Sequence, residues 1–526
     1  MNAVGGASLA AVSLPRTERV VPTALAGSFL ASLTAQFAGT NLADIQGSVG
    51  ASADEASWIV TIYTVTSFVG IVLSPVLART FGLRRYFVAS AVVFAVCAWL
   101  CAIATTLPML LTVRALQGVA GGGFGPIAFV AIFTIWKGPR LPWGLALLAA
   151  VLVVSVNAGP VLSGPIEATL GWRGLFLIQF LVAGCLAWVG LTWMPASPVN
   201  WSGLKTDWTA VAFLTLGISL MMLVLSQGTR RFWLDSPVIA LSASLCFGAW
   251  VGFIVLHRYS PIRIINVTRL LDRRFGIPIL LNLIFRASFA VTVYLIPLLL
   301  ALTQSYRPLQ TSYALWWSLL PQIAAFPLAW HLLHHIDSRY MMFAGLLSCG
   351  LGIALAAFAT NQTSAEQLHL SLVLLGVGQM LFLVPALLVG ASALKPEDGP
   401  TATIAFNATT VGGTTLGVGL ISHFVTEREK YHSSVLVEHV SWLDPAQADR
   451  LSSLTGALRA RIGDDETTAI RAIAQIASTV RREAWLLSIN DAFLLMAVVL
   501  VVSAFCVALI GPSPPLARSP SQRDAS

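Results

Sequence analysis

Two arginines are the residues most able to do chemistry inside the apolar stretches of this chain. Arg114, in the run Arg114-Ala115-Leu116-Gln117-Gly118, and Arg286, four residues after Asn282, each put a permanent cation where lipid or packed protein is the solvent. A guanidinium there is costly and by default marks a solute route or a buried partner. No acid matches them. None of the 23 Asp and Glu lies deep in an apolar run; Asp44 and Asp491 sit at outer helix ends and Asp207 at an inner one. A cavity built around Arg114, Gln117, Arg286 and Asn282 should therefore be electropositive and favour anionic or neutral aromatic compounds over cations. Moving a proton needs a group whose affinity shifts with burial and neighbouring charge. Asp44, paired with Arg114 from the outer end of the first helix, is the candidate proton site; His331, a residue type suited to carrying protons, lies towards a helix end. No nucleophile, metal set or acid pair suits a membrane enzyme, so no cofactor or metal is expected.

The elements that hold these residues follow from composition. Of the 526 residues 56% are hydrophobic and 10% charged, which no soluble core can absorb. Fourteen runs are long enough to cross a bilayer, starting near Pro22, Trp58, Tyr86, Leu107, Leu141, Leu175, Trp208, Val238, Phe275, Tyr313, Tyr340, Leu368, Thr403 and Trp485. Arg79, Arg84, Arg85, Lys137, Arg140, Lys205, Arg273, Arg274 and Arg339 then fall on the side of the N-terminus, whereas the short loops opposite hold few cations. Both termini are expected in the cytoplasm, and the net charge of +8 is topological rather than a nucleic-acid footprint. All six cysteines lie in apolar runs, so no disulfide framework is implied.

Within the fifth run, Asn157-Ala158-Gly159-Pro160-Val161-Leu162-Ser163-Gly164-Pro165 predicts a bent helix with a nearly bald face. Such a helix is tolerated in lipid only where neighbours cover it. Aromatic residues Trp316, Trp317, Phe285, Phe289, Tyr294 and Trp330 are candidates to line a cavity. A polar insertion at 423–484 carries a helix start at Asp444-Pro445, a stripe of Leu451, Leu454, Leu458 and Ile462, and a second set from Ile470 to Ala484. Two amphipathic helices outside the membrane are expected, the first stripe being a candidate docking face for a partner. The Pro- and Ser-rich tail 511–526 reads as disordered.

Taken in order, Trp58, the loop Leu77-Ala78-Arg79-Thr80-Phe81-Gly82-Leu83-Arg84-Arg85, Arg114 with Gln117-Gly118, Gly159-Pro160 with Ser163-Gly164, and Gly171-Trp172-Arg173 resemble the motifs of major facilitator superfamily antiporters. More narrowly the chain resembles the fourteen-helix EmrB/QacA-type drug:proton antiporters, since Gly47 with Gly50-Ala51-Ser52, Gly412-Gly413, the long outside loop and Asn490-Asp491 also fit.

The resemblance implies an all-α polytopic membrane protein with fourteen transmembrane helices. A tail 1–21 precedes a six-helix bundle 22–194; two linker helices (195–257) and a second bundle 258–510 follow, the latter carrying the helical periplasmic loop 423–484. Alternating access would come from rocking of the bundles, with Gly118, Gly159, Pro160, Gly164, Gly82, Arg84 and Arg85 in gating and packing, and Thr34, Gln36 and Asn41 at the cavity. Two positions depart from the family: Thr34 stands where an aspartate is usual, and Arg79 where the loop usually has an acid. The expectation is an inner-membrane exporter of small amphipathic or aromatic compounds in a Gram-negative bacterium, proton-coupled, working with a periplasmic membrane-fusion adaptor and an outer-membrane channel. A facilitator or importer, or a non-transporting receptor or scaffold, stays open as an alternative.

Overall fold

The computed structural model describes residues 18–260, 265–392, 398–438, 449, 452–453, 455, 457, 465–512 and 516. Twelve helical stretches are long and apolar enough to cross a membrane. One of them, Arg140–Trp193, holds two spans, because Gly171 at φ 68° breaks it where a side chain would be strained. Pro308–Leu332 is a further 25-residue helix packed between its neighbours. Fourteen spans result. They are α1 (Val20–Thr40), α2 (Ala53–Phe81), α3 (Leu83–Ile103), α4 (Leu107–Ile135), α5 (140–170), α6 (172–193), α7 (Trp208–Gln227), α8 (Pro237–Tyr259), α9 (Arg273–Gln304), α10 (Pro308–Leu332), α11 (Ser338–Ala356), α12 (His369–Ser392), α13 (Gly399–Glu438) and α14 (Asp465–Cys506).

The helix starts are written locally. Ser52 and Glu55 form a capping box at α2, Asp207 caps α7 through the Ala210 N–H, and prolines occupy the first turns of α4, α8 and α10. Helices α1–α6 and α9–α14 form two bundles. They meet along α5 against α10 and α12, and along α2 and α4 against α13. The face where α1 begins and α14 ends is called basal below, the opposite one apical.

Of the linker helices, α7 docks on both bundles and α8 packs on α7. On α2, Gln227 of α7 donates to Ser57 and Thr61 (3.1 and 2.6 Å), Thr61 also meets Ser226, and Ser219 donates to the Val65 carbonyl. On α13, α7 meets glycines: a Cβ at Gly419 would collide with the Leu225 carbonyl, and Met222 lies 3.5 Å from where a Cβ at Gly412 would stand.

Of the two helices expected in the insertion, the first, from Asp444, lies mostly outside the described residues, and the second is not separate. Residues 423–438 continue α13 and 465–484 continue α14, so two spanning helices of 40 and 42 residues project from the apical face. At 1.5 Å per residue each is about 60 Å long, roughly twice the hydrocarbon thickness. At the base of this stalk Arg428 and His432 of α13 both reach Asp491 Oδ2 of α14 (2.6 and 2.8 Å). Of the second apolar set, Ile470 and Ile473 are exposed while Ala484 is buried. The stripe Leu451, Leu454, Leu458 and Ile462 lies outside the described residues, as does nearly all of the tail 511–526.

Candidate functional site

A cavity of about 60 Å³ lies at mid-membrane between the bundles. It is lined by small and hydroxyl residues of α1 (Ser28, Ser32), by Tyr63 and Ser67 of α2, and by glycines of α4, with Asn407 and Thr410 of α13 closing it from the other bundle. The glycines explain its shape. A Cβ at Gly122 would collide with the Ser67 carbonyl, one at Gly118 with the Tyr63 carbonyl and one at Gly125 with the Asn407 amide, so α4 approaches α2 and α13 backbone to side chain or closer. That volume admits a few waters. Drug-sized ligands fill pockets of roughly 300 Å³ or more, so the cavity as it stands is too small to hold one.

Its basal side is shut by aromatic rings shared between the bundles. Phe129 of α4 stacks on Phe406 of α13 (5.6 Å, 23°), and Trp143 of α5 meets Trp330 and Phe326 of α10 at 4.8 and 5.5 Å. Towards the apical end α5 presses on α10, where a Cβ at Gly164 would stand 2.7 Å from the Pro308 carbonyl.

Both arginines are fully buried, one layer behind the cavity wall. Arg114 is embedded in its own bundle. Its Nη1 donates to Gln117 Oε1 (2.9 Å), whose amide donates on to Gln179 Oε1 of α6 (3.0 Å), and its Nε donates to the Ile59 carbonyl of α2 (3.4 Å). The guanidinium lies 4.2 Å from the Tyr63 ring centre. Tyr63 lines the cavity and donates its hydroxyl to the Ala31 carbonyl (3.0 Å), which holds the ring between cation and cavity. Arg286 instead crosses the divide: from α9 its Nη1 donates to the Leu152 carbonyl of α5 (2.9 Å). Its Nε and Nη2 have no hydrogen-bond partner among the described residues.

Four neutral residues complete the join, all buried. Asn157 of α5 donates to Gln379 Oε1 of α12 (2.7 Å), Gln322 of α10 donates to the same oxygen (2.7 Å), and Thr292 of α9 donates to Asn157 Oδ1 (2.9 Å). Thr292 lies in a π-helical turn, Val291–Leu295. Such turns often mark functional positions in helices.

The expected cavity residues stand around this centre rather than on its lining. Gln117 and Asn282 are buried in helix contacts, Asn282 donating to Thr409 (2.9 Å). Thr34 is buried, Asn41 donates to the Phe37 carbonyl, and Gln36 packs its stem on Gly159. Asp44 is exposed on the short helix Leu42–Val49, and Arg114 spends its bonds on Gln117 and Ile59, so the expected pairing of Asp44 with Arg114 is not formed. Nor do the expected aromatics line the cavity. Phe285 and Phe289 pack on each other, Trp317 stacks on His369, and Trp330 belongs to the basal closure. His331 faces His335 at the basal end of α10. Pro160 is buried in α5; Gly82, at φ 83°, turns the chain from α2 into α3, with Arg84 half-buried and Arg85 exposed beside it. Arg79 donates to the Gly203 carbonyl of the segment before α7 (2.8 Å), a role open to a cation and closed to the usual acid.

Sequence reasoning passed over Tyr63, Gln322, Gln379 and Thr292. The signal was a neutral amide or hydroxyl inside an apolar run, weaker than a charge.

A family model described as Major Facilitator Superfamily matches residues 24–271. The chain is 22% identical over 481 residues to the Colistin resistance protein EmrB of Acinetobacter baumannii, covering 91% of this chain and 93% of that protein. It is 23% identical to the Multidrug export protein EmrB of Escherichia coli (90% and 91% covered) and 23% identical to the Fatty acid resistance protein FarB of Neisseria gonorrhoeae (90% and 92% covered). The fold is similar to the crystal structure of the human organic anion transporter MFSD10 (TETRAN), with a TM-score of 0.56, 13% identity and coverage of 93% of this chain and 99% of that one.

Proposed function

We propose, from the premise that the chain belongs to the major facilitator superfamily, that it exports small amphipathic or aromatic compounds across a bacterial inner membrane. The observation that carries this is the pairing of an end-to-end likeness to EmrB-type proteins with a mid-membrane cavity walled by both bundles. Alternating access then has a physical basis: the cavity walls belong to α1, α2 and α4 on one side and α13 on the other, so rocking the bundles changes its volume and its opening. The basal face is the cytoplasmic one in this reading, following the cation bias of the loops. The structure would then be closed to the cytoplasm by the Phe129–Phe406 and Trp143–Trp330 contacts.

Coupling to proton entry belongs to this proposal. With no carboxylate deep in a span, the proton site falls to the apical rim, at Asp44. The stalk of α13 and α14 is the surface assigned to a periplasmic membrane-fusion adaptor and, through it, an outer-membrane channel, with Leu451, Leu454, Leu458 and Ile462 as the docking stripe.

Inverted membrane vesicles test the central claim. Imposing an acid-inside gradient should drive uptake of an aromatic dye into vesicles holding the protein and not into empty ones, and collapsing the gradient should stop it. Uptake that ignores the gradient points to a facilitator, and none at all to a receptor or scaffold. Serine at the four stripe positions should leave vesicle transport intact while abolishing resistance in cells and adaptor co-purification; retention of both removes the docking claim.

A further inference from the structure

We propose that Arg286 is the anchoring residue for an oxyanion, a planar carboxylate on the transported compound, and that binding trades against its bond to the Leu152 carbonyl. The proposal rests on the export reading and deepens it by naming the substrate class. Three observations lead to it. The guanidinium has two usable edges, and the side-on edge formed by Nε and Nη2 carries parallel N–H groups spaced for the two oxygens of a carboxylate. On Arg286 those two atoms are the ones without a partner among the described residues, while Nη1 alone holds Leu152. The side chain is wholly buried, the centre of the Phe289 ring of its own helix lies 5.4 Å from the guanidinium carbon, and among the described residues no Asp or Glu forms an ion pair with it.

Position supplies the third observation. Leu152 is part of the cavity wall, so the guanidinium stands directly behind it, reaching from α9 of one bundle to α5 of the other. Gly413 of α13 lies against the Arg286 stem, leaving no room for a side chain there, and so directs the head towards α5. Separating the bundles removes the single carbonyl partner and uncovers the free edge together. A carboxylate in the widened cavity would then take the edge as a bidentate pair. Arg114 also leaves Nη2 without a partner among the described residues, but its Nε is taken by the Ile59 carbonyl and its Nη1 by Gln117, so neither edge is free to grip a carboxylate in bidentate fashion.

Binding to the purified full-length protein in detergent tests this with 2-naphthoate and 2-naphthamide, probes of nearly equal shape differing in charge. The wild type should bind the acid at least about tenfold more tightly than the amide, the usual size of one charge-assisted bidentate contact. Arg286→Gln should bring the two within about twofold of each other, and Arg286→Lys, a point charge without the fork, should keep only a small part of the preference. Equal binding or no binding of the two probes by the wild type overturns the proposal, and so does a preference that survives in Arg286→Gln. If Arg286→Gln fails to fold, the wild-type comparison and Arg286→Lys still decide. These readouts need no transport. Failure of the export reading would show separately, as vesicles that move neither probe.

Discussion

Arg114 and Arg286 are both whole guanidiniums at zero exposure, yet they answer the cost of a buried cation in opposite ways. Arg114 is surrounded within one bundle by an amide, a carbonyl and an aromatic face, and its chain of bonds runs on through Gln117 to Gln179. Arg286 has the Phe289 ring of its own helix at 5.4 Å, one carbonyl borrowed from the other bundle, and both Nε and Nη2 without a partner among the described residues, where Arg114 leaves only Nη2 so. In the proposed rocking motion the first arrangement stays whole, because all its parts belong to one bundle. The second is made and unmade by the motion itself. A buried charge can thus serve as a rivet or as a catch, and what separates the two is whether its partners share a rigid body with it.

The largest test of this contrast is Arg114→Ala. It removes a fully packed side chain and strands Gln117 Oε1, so it should lower stability by about 3–5 kcal/mol and reduce the yield of folded protein for every substrate condition. Fluorescence-detected size-exclusion profiles measure this. A normal yield with selective loss of acid transport would mean that Arg114, too, is a catch.

Breaking the basal closure comes next. Trp143→Ala deletes two aromatic pairs between the bundles and should shift the equilibrium towards the basal-open state by about 1–3 kcal/mol. A cysteine placed at Ser32 should then react several-fold faster with an impermeant maleimide added from the basal side. An unchanged rate would locate the barrier elsewhere, with Phe129 and Phe406 as the remaining candidates.

Gln379→Leu sharpens the comparison at the neutral join. It strands the donors of Asn157 and Gln322 at a cost of about 1–2 kcal/mol, since buried polar bonds between membrane helices are each modest. Because the Asn157 bond crosses the bundles, the cost should be visible in transport rate more than in thermal stability. Equal effects on both would make the cluster a rivet like Arg114.

The smallest expected effect is at Asp207, outside the spans. Bonds from the Thr209 hydroxyl and the Ala210 N–H hold its carboxyl below the usual carboxylate range. Its stabilising contribution is therefore complete above the unfolded value near 4 and is lost only as pH falls through the lower folded value. Asp207→Ala should cost about 1 kcal/mol as a lost helix cap, with no change in that cost between about pH 6 and 8 on a melting curve.

Much of this was legible beforehand. Fourteen apolar runs became fourteen spans because a bilayer-length stretch has no other stable form in lipid. The bald segment from Asn157 to Pro165 is covered by neighbouring helices, as its small residues and prolines require. The facing of individual residues was not legible. In a helix apolar all round, no amphipathic pattern says which side meets protein, so Trp317 and Phe289 could not be told from lining residues. Asp44 followed from adjacency along α1, but the helix breaks at Asn41 and the short helix after it leaves the carboxylate exposed. The second helix of the insertion could not be seen as a continuation of α14, because its polar surface hides that continuity.

The linker helices carry a last consequence. Helix α7 is tied to α2 by hydroxyl and amide bonds yet meets α13 through glycines and apolar side chains, with the Trp233–His423 bond just beyond its end as a polar tie to α13. It should therefore travel with the first bundle and slide past the second. When α2 and α13 part, α7 stays across the gap like a shutter. Lipid tails and lipid-dissolved compounds are then kept out of the cavity on that flank, and any entry from the bilayer must use the opposite seam, between α5 and α10.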